Sequence, residues 1–467
     1  MRPPLTKRAC DECIARKVKC SGAWPCNTCS SGPKQVACTY LKPARRRGPK
    51  VRRAAPSEDR INTADETDRL DGRGAPQAQL TGSPIASSVL VAVVRRYGDA
   101  SFSVWPVVDA EALLSRLEEP TDPQTYALAT GLCAATMAQL QMAPVEDVAG
   151  PVDSALLARE CLRVREESNY REYLDARGVL VSFFLHVYHA KINRRNSAMM
   201  FIQEALSGAR ILRLDEVTPA DGADGRREDD VIVNREILFT LLWVSERGYA
   251  MHLGLAPSFV TPIHWPDVTS RSAPPNVHVQ GLVELARLFA AFDAIAASRS
   301  RSGVDVSAVG LAETEGALSV LSLQQTDGHR VSTRMADYCI TKEWMRMIIW
   351  QEALARHLLS STSYVELMTF RFPAVVSRDL LFSLQGFTQA DLLPLGRDQL
   401  LKCFEVANSL ADTVLYTSSG SSGAAFELRP QDFLHALYHR LTPFLDQDPL
   451  LKSILHAKTA EALKKSI

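Results

Sequence analysis

No histidine precedes His186, and within residues 1–53 the only carboxylates are Asp11 and Glu12. Against those two stand 14 Lys and Arg, a net +12, which leaves 39 basic and 51 acidic residues, a net −12, for the rest of the chain. The formal charge of zero hides a strong dipole. Residues 1–9 carry Arg2, Lys7 and Arg8 and no apolar stretch, so no secretory signal is expected and an intracellular, reducing setting is. The most apolar stretches, such as residues 179–190, fall short of the roughly 18 residues that a membrane span needs. Signatures of catalysis are missing as well. His435 and His439 have helical spacing, but the Ala-Leu-Tyr between them lacks the glutamate of a zinc hydrolase. Residues 418–423, Ser-Ser-Gly-Ser-Ser-Gly, do not bracket a serine as a nucleophile elbow does, and they read as a loop. No phosphate-cradling glycine pattern or dinucleotide fingerprint occurs, so an enzyme is not expected.

Sulfur, by contrast, is concentrated. Cys10, Cys13, Cys20, Cys26, Cys29 and Cys38 form two Cys-x-x-Cys pairs, each followed by a third cysteine. A Cys-x-x-Cys pair aims two thiolates at one tetrahedral centre, so two such units imply two metals. Two tetrahedral zincs need eight ligand positions, six sulfurs are present and no histidine is near, so two thiolates are shared. The economical arrangement is a binuclear cluster holding two Zn2+. A zinc-dependent protein-interaction module of the cross-brace type normally includes histidine, absent here. The remaining cysteines, Cys133, Cys161, Cys339 and Cys403, are scattered among apolar residues and read as buried structural thiols.

Six thiolates and two Zn2+ leave a core of charge about −2, which favours surrounding cations. A compact basic head is the electrostatic footprint of a phosphate-binding module, and double-stranded DNA is the expected partner. Arg and Lys donate to the O6 and N7 acceptors of guanine, so Arg16, Lys17 and Lys19 suit readout of a GC-rich site. Residues 42–53 hold seven basic residues and none acidic, including Arg45, Arg46 and Arg47. Such a run serves as a nuclear-localisation signal or as an arm along the phosphates, so the nucleus is the expected location.

The run Cys10-Asp11-Glu12-Cys13-Ile14-Ala15-Arg16-Lys17-Val18-Lys19-Cys20, with Trp24-Pro25-Cys26-Asn27-Thr28-Cys29 and Cys38-Thr39-Tyr40, resembles the fungal Zn(II)2Cys6 binuclear-cluster transcription factors. The resemblance implies that Cys10 and Cys26 bridge the metals, one zinc also holding Cys13 and Cys20 and the other Cys29 and Cys38. It implies readout of CGG-type triplets by a short helix over residues 14–19. The position after the second cysteine is usually Arg in that family and is Ile14 here, so Lys7 and Arg8 are expected to replace a phosphate contact.

The expected organisation is a Zn(II)2Cys6 DNA-binding domain at 7–41, the basic segment at 42–53, a disordered linker at 54–84 and an all-α regulatory domain at 85–467. In the linker only Ile61 and Leu70 are large apolar residues between Pro56 and Gln79, too few for a coiled coil, so the chain is expected to act as a monomer or to dimerise through the helical domain. Ala198, Ile202, Ala205, Ala209 and Leu212 recur at three and four residues, and Leu238, Leu241, Leu242 and Val244 extend the helical pattern. Residues 450–467 read as a basic amphipathic helix, whereas 218–230 and 298–328 read as loops.

The stretch Leu242-Trp243-Val244-Ser245-Glu246-Arg247-Gly248-Tyr249-Ala250, continuing to Leu253-Gly254-Leu255-Ala256-Pro257 and Trp265-Pro266, resembles the helical middle homology region of the same factors, and residues 183–214 resemble the helix pair before it. Val104-Trp105-Pro106-Val107-Val108-Asp109 and Glu246-Arg247-Gly248-Tyr249 resemble the sugar-responsive members of the maltose and amylase type. The expected function is a sequence-specific RNA polymerase II transcription factor that recruits coactivators through the helical domain. A pathway-specific activator of a secondary-metabolite gene cluster is the first expectation. A regulator of sugar or polysaccharide utilisation, or a repressor, is the alternative. Helical bundles leave pockets between helices, so a small-molecule effector is compatible with this domain. Trp243 and Tyr249 are expected to pack in or at the edge of the core, and Glu246-Arg247 to form a partly buried ion pair.

Overall fold

Helical spacing in the sequence becomes helix through most of the larger of two compact units, Met1–Gly74 and Ala75–Ile467, into which the computed structural model divides. The described residues are 9–31, 38–39, 85–117, 122–148, 150–214, 216, 232–259, 276–301, 307–321, 332–416, 428–446 and 448–464. The expected linker, the basic segment and the loops at 218–230 and 418–423 lie outside them.

The smaller unit contains α1 (Asp11–Ala15) and α2 (Asn27–Ser30). The larger begins with α3 (Ser87–Arg96), α4 (Ala110–Leu117), α5 (Pro123–Leu140), α6 (Ser154–Glu167), α7 (Ala176–Lys191), α8 (Arg195–Ile211) and α9 (Arg235–Leu253). It continues with α10 (Val277–Arg301), α11 (Ala308–Val320), α12 (Ser332–Ala355), α13 (Phe372–Leu384), α14 (Gln389–Leu392), α15 (Gly396–Tyr416), α16 (Pro430–Leu445) and α17 (Pro449–Lys464). An antiparallel hairpin, β1 (Val145–Asp147) with β2 (Gly150–Val152), departs from the all-α expectation. Gly150, the first residue of β2, has φ 117°, a conformation that L side chains rarely adopt.

Helix α5 is apolar on every side and is correspondingly buried on every side. Asp122 caps it by accepting from the Gln124 and Thr125 N–H groups, and Pro123 occupies its first turn, where a missing N–H costs nothing. Around it pack α3, α4, α6 and α7. On α8, Ala198, Ile202, Ala205 and Ala209 are all fully buried, as their spacing predicts. Helix α9 stops at Gly254, whose φ of 65° forms a left-handed cap. Among the described residues of the larger unit a single apolar cluster runs from Val89 to Ala462, so its described helices share one core. Leu451, Leu455, Thr459 and Ala462 form the buried face of α17, the expected C-terminal amphipathic helix.

A second expectation fails in this unit. Residues 298–328 are not a loop throughout: α10 continues to Arg301, and Ser307 caps α11 by accepting from Gly310 N–H. Leu311 and Leu318 bury one face of that helix in the core, which outweighs the polar composition around it. Among the described residues no helix is long and apolar enough to cross a membrane.

Helices α7 and α8 approach closely where Gly208 faces Val179. A Cβ at 208 would stand 2.9 Å from Val179 Cγ2 and 3.4 Å from Leu174 Cδ2. Gly208→Val is expected to destabilise the unit by about 1–3 kcal/mol, because a close-packed core cannot absorb the added carbons without shifting a helix. A denaturant melt of the two proteins checks this, and an unchanged midpoint would mean that the helix pair is loosely packed.

Candidate metal centre and nucleic-acid interface

The smaller unit is organised by two similar half-sites. In the first, Cys10 is the N-cap of α1 and its Sγ accepts from Cys13 N–H at 3.4 Å. Cys10 N–H in turn donates to Cys20 Sγ at 3.5 Å. In the second, Cys26 is the N-cap of α2 and its N–H donates to Cys38 Sγ at 3.3 Å. Thr28 Oγ1 donates to Lys19 O at 2.8 Å, and Asp11 N–H donates to Thr39 O at 2.8 Å, tying each half to the other.

All six cysteines are free thiols. Cys10 Sγ lies 3.7 Å from Cys26 Sγ and 3.6 Å from Cys29 Sγ, and Cys13 Sγ lies 3.6 Å from Cys26 Sγ and 4.0 Å from Cys29 Sγ. A tetrahedral zinc with Zn–S bonds of about 2.3 Å separates its sulfurs by about 3.8 Å, so the spacing fits zinc. The sulfurs fall into two groups of four, Cys10, Cys13, Cys20, Cys26 and Cys10, Cys26, Cys29, Cys38, each with its members within 4.8 Å of one another. Cys10 and Cys26 belong to both. A cluster able to hold metal ions is therefore present.

Electrostatics single out the same two residues. Burial opposes ionisation of Cys10 and Cys26, but the Cys13 and Cys29 N–H groups at the starts of α1 and α2 favour it. Both thiols fall below their ordinary range, Cys26 to about 6. Hydrogen bonding to Cys26 and burial push Cys29 up to about 12. Elsewhere, burial alone pushes the Cys133 thiol up, and burial is the main cause that raises Cys161 and Cys403 to about 12, consistent with inert core thiols.

The basic loop departs from the expected helix over residues 14–19. Helix α1 ends at Ala15, and Lys17 turns the chain with φ 54° so that Val18 N–H reaches back to Cys13 O at 3.1 Å. Returning Cys20 to the cluster forces this reversal. Arg16, Lys17 and Lys19 are nonetheless exposed, on a loop anchored at both ends by cluster sulfurs. Ile14 and Val18 are exposed beside them. Lys7, Arg8, Arg45, Arg46 and Arg47 lie outside the described residues.

In the helical unit Trp243 is buried and carries the Arg247 guanidinium 3.5 Å above its ring. Glu246 and Arg247 are both buried, 3.9 Å apart, but each has a stronger partner. Arg247 pairs with Asp293 of α10 at 2.5 Å and donates to Phe259 O at 2.6 Å, while Glu246 accepts from Ser258 N–H at 2.6 Å. The pair thus joins α9 to α10 and to the segment after α9. Tyr249 is half-buried, edge-on to His186 with centroids 4.9 Å apart. His186 donates its Nδ1–H to Ala198 O at 2.9 Å, and burial brings its imidazole down to about 4. His435 and His439 are exposed neighbours, Nε2 to Nε2 3.0 Å, and join no metal-holding group among the described residues. A largely apolar cavity whose polar residues include His252, Asp337, Asp398, Gln399 and Lys402, from α9, α12 and α15, has no local sequence signal.

The smaller unit thus brings together a paired-sulfur cluster able to hold metal ions and an exposed basic loop. The chain is similar to the maltose fermentation regulatory protein MAL13 of Saccharomyces cerevisiae, 24% identical with 87% of this chain and 84% of that protein covered. It is also similar to the probable sucrose utilization protein SUC1 of Candida albicans, 24% identical over 88% of this chain and 80% of that protein. The respiratory transcription factor ZNF1 of Saccharomyces cerevisiae is 22% identical over 87% of this chain and 85% of its own length. No protein-family model matches the chain, and no solved structure matches it. These relatives are fungal Zn(II)2Cys6-type transcription factors, and the cysteine cluster of this chain is consistent with that type, as the resemblance in its sequence implies. The relatives are transcription regulators and not enzymes, mainly of maltose and sucrose utilisation.

Proposed function

We propose that the chain is a nuclear, sequence-specific regulator of RNA polymerase II transcription that binds two zincs, reads a CGG-type triplet and controls sugar-utilisation genes. The observation that carries the DNA-binding part is the pair of four-sulfur groups sharing Cys10 and Cys26, with Arg16, Lys17 and Lys19 exposed on the loop they anchor. One zinc is assigned to Cys13 and Cys20 with the shared pair, the other to Cys29 and Cys38 with the same pair. The choice of regulon follows the relatives, whose names concern maltose and sucrose and not secondary metabolism. The secondary-metabolite expectation thereby yields first place to its alternative.

Within this reading Lys17 contacts a base and Arg46 a phosphate. Lys17→Ala is expected to cost about 1–3 kcal/mol on the cognate triplet and to leave random duplex binding unchanged. Arg46→Ala is expected to weaken all duplexes alike and to lower the slope of log K against log salt by about one. Fluorescence anisotropy on cognate and scrambled duplexes over a salt series separates the two; equal losses on both duplexes for Lys17→Ala would remove it from base readout. The regulon is tested by genome-wide occupancy of the tagged chain in its host, paired with transcript changes on deletion. Occupancy over sugar-uptake and hydrolase promoters is expected, and occupancy confined to one contiguous biosynthetic cluster would reverse the order of the two readings.

A further inference from the structure

Helix α16 buries one face and sets two histidines in solvent. Leu434, Leu437, Leu441 and Leu445 form the buried face, and the helix packs with α13, α15 and α17. Arg440 donates to Leu384 O at 2.7 Å and so ties it to the end of α13. His435 and His439 are both exposed. A spacing of four stacks two helical side chains one turn apart on the same strip of surface. Their Nε2 atoms are 3.0 Å apart and their rings stand at 73° to one another.

A single N–H···N bond could join the two rings, but it adds little for exposed groups that water serves equally well. The spacing fits a shared metal. With metal–nitrogen bonds of about 2.1 Å, two ligands at a right angle are separated by about 3.0 Å and two at the tetrahedral angle by about 3.4 Å. The observed separation is the right-angled one. Tetragonal nitrogen sites are those of Ni2+ and Cu2+, whereas Zn2+ favours the tetrahedron. Among the described residues the pair joins no group of three or more ligands, which leaves the other positions to water. His456 of α17 is engaged elsewhere, its Nδ1 2.9 Å from Tyr438 Oη.

We propose that His435 and His439 form a two-ligand surface site for a divalent transition metal of tetragonal preference, the class of Ni2+ and Cu2+. The two Nε2 lone pairs take adjacent positions on the ion and water takes the rest. Once one imidazole has bound, the second binds within the same molecule, so the pair acts as a unit. The site draws on none of the six clustered cysteines, and the two places divide the metals by chemistry. Thiolates in a closed tetrahedron suit zinc; exposed imidazoles at a right angle suit the tetragonal ions. The spacing exists only while residues 435–439 are helical, so the metal binds the folded unit and stabilises it by linkage. Neither DNA binding nor the choice of regulon enters this assignment.

Ni2+ is the probe, because Cu2+ oxidises thiols. The full-length, zinc-loaded chain is titrated with nickel chloride by calorimetry, with native mass spectrometry alongside to show that its zinc stays in place. A saturable Ni2+ site is expected that His435→Gln and His439→Gln each weaken at least tenfold. The double variant is expected to lose no more than either single one, and His456→Gln to bind as the parent does. Zn2+ is expected to bind this pair at least tenfold more weakly than Ni2+. His435, His439 and His456 are exposed, so metal-free Tm is expected to stay the same in all variants, and Ni2+ to raise Tm in the parent more than in His435→Gln. Without any substitution, Ni2+ is expected to protect His435 and His439, and not His456, from diethyl pyrocarbonate, as read by peptide mass spectrometry. Absence of saturable Ni2+ binding, parent affinity in both single variants, losses that add as for two separate ligands, or equal labelling with and without Ni2+ would each overturn the proposal. Tighter binding of Zn2+ than of Ni2+ at the pair would overturn its right-angled geometry and with it the class of metal.

Discussion

Cys10→Ala and Cys26→Ala are each expected to abolish specific DNA binding and to lower the zinc content below one per chain, whereas Cys38→Ala retains one zinc. The difference follows from membership: Cys10 and Cys26 belong to both four-sulfur groups and Cys38 to only one. Removing a shared sulfur leaves each metal with three ligands, and removing an outer one spares the other metal. Structural zinc supplies apparent folding free energy of about 10–16 kcal/mol in modules of this size, far more than the few apolar residues here can provide. The basic loop is anchored by Cys13 and Cys20, so Arg16, Lys17 and Lys19 lose their placement when the first group opens. Native mass spectrometry gives the zinc count and anisotropy the affinity. Identical zinc content in Cys10→Ala and Cys38→Ala would contradict the shared-sulfur arrangement.

Arg247→Ala is expected to destabilise the helical unit by about 3–5 kcal/mol, the range for removing one partner of a buried ion pair. The guanidinium is 4% exposed, and its removal leaves Glu246, fully buried, beside Asp293 with no cation between them. It also strips the Trp243 ring of the group stacked on it. Arg247→Lys keeps a charge but not the fork that serves Asp293 and Phe259 O together, so it is expected to recover less than half of the loss. Arg213, paired with Glu216 at 3.6 Å on the surface, provides the contrast: Arg213→Ala is expected to change stability by less than about 0.5 kcal/mol. Denaturant midpoints of the three variants check the ranking. A loss for Arg247→Ala no larger than that for Arg213→Ala would mean that water reaches the Glu246 site.

What was legible in the sequence was local. The six clustered sulfurs lie within 28 residues of one another, and each Cys-x-x-Cys pair spans one helical start, so spacing alone carries most of the cluster's geometry. The faces of α8 and α9 were legible because burial repeats along a single helix. The end of α1 was not, because the reversal at Lys17 is imposed by a ligand three residues later and not by any helix-breaking residue. Nor was the cavity wall, since His252 and Asp398 meet across 146 residues and Gln399 and Asp337 across 62. The Glu246-Arg247 step was readable as buried, yet its true partner, Asp293, stands 46 residues away on another helix. Such pairings are set by packing of the one core, to which a pattern within any single segment is blind.

The most direct measurement of the central claim is binding of the full-length chain, with its zinc counted, to a duplex carrying a CGG triplet and to the same duplex scrambled, with and without a chelator. Two zincs per chain, a preference for CGG that falls by about 1–3 kcal/mol for each base changed, and loss of that preference on chelation are expected. Equal binding to both duplexes, unaffected by chelation, would contradict the account, because the basic head would then bind DNA by charge alone and the sulfur cluster would have no part in reading it.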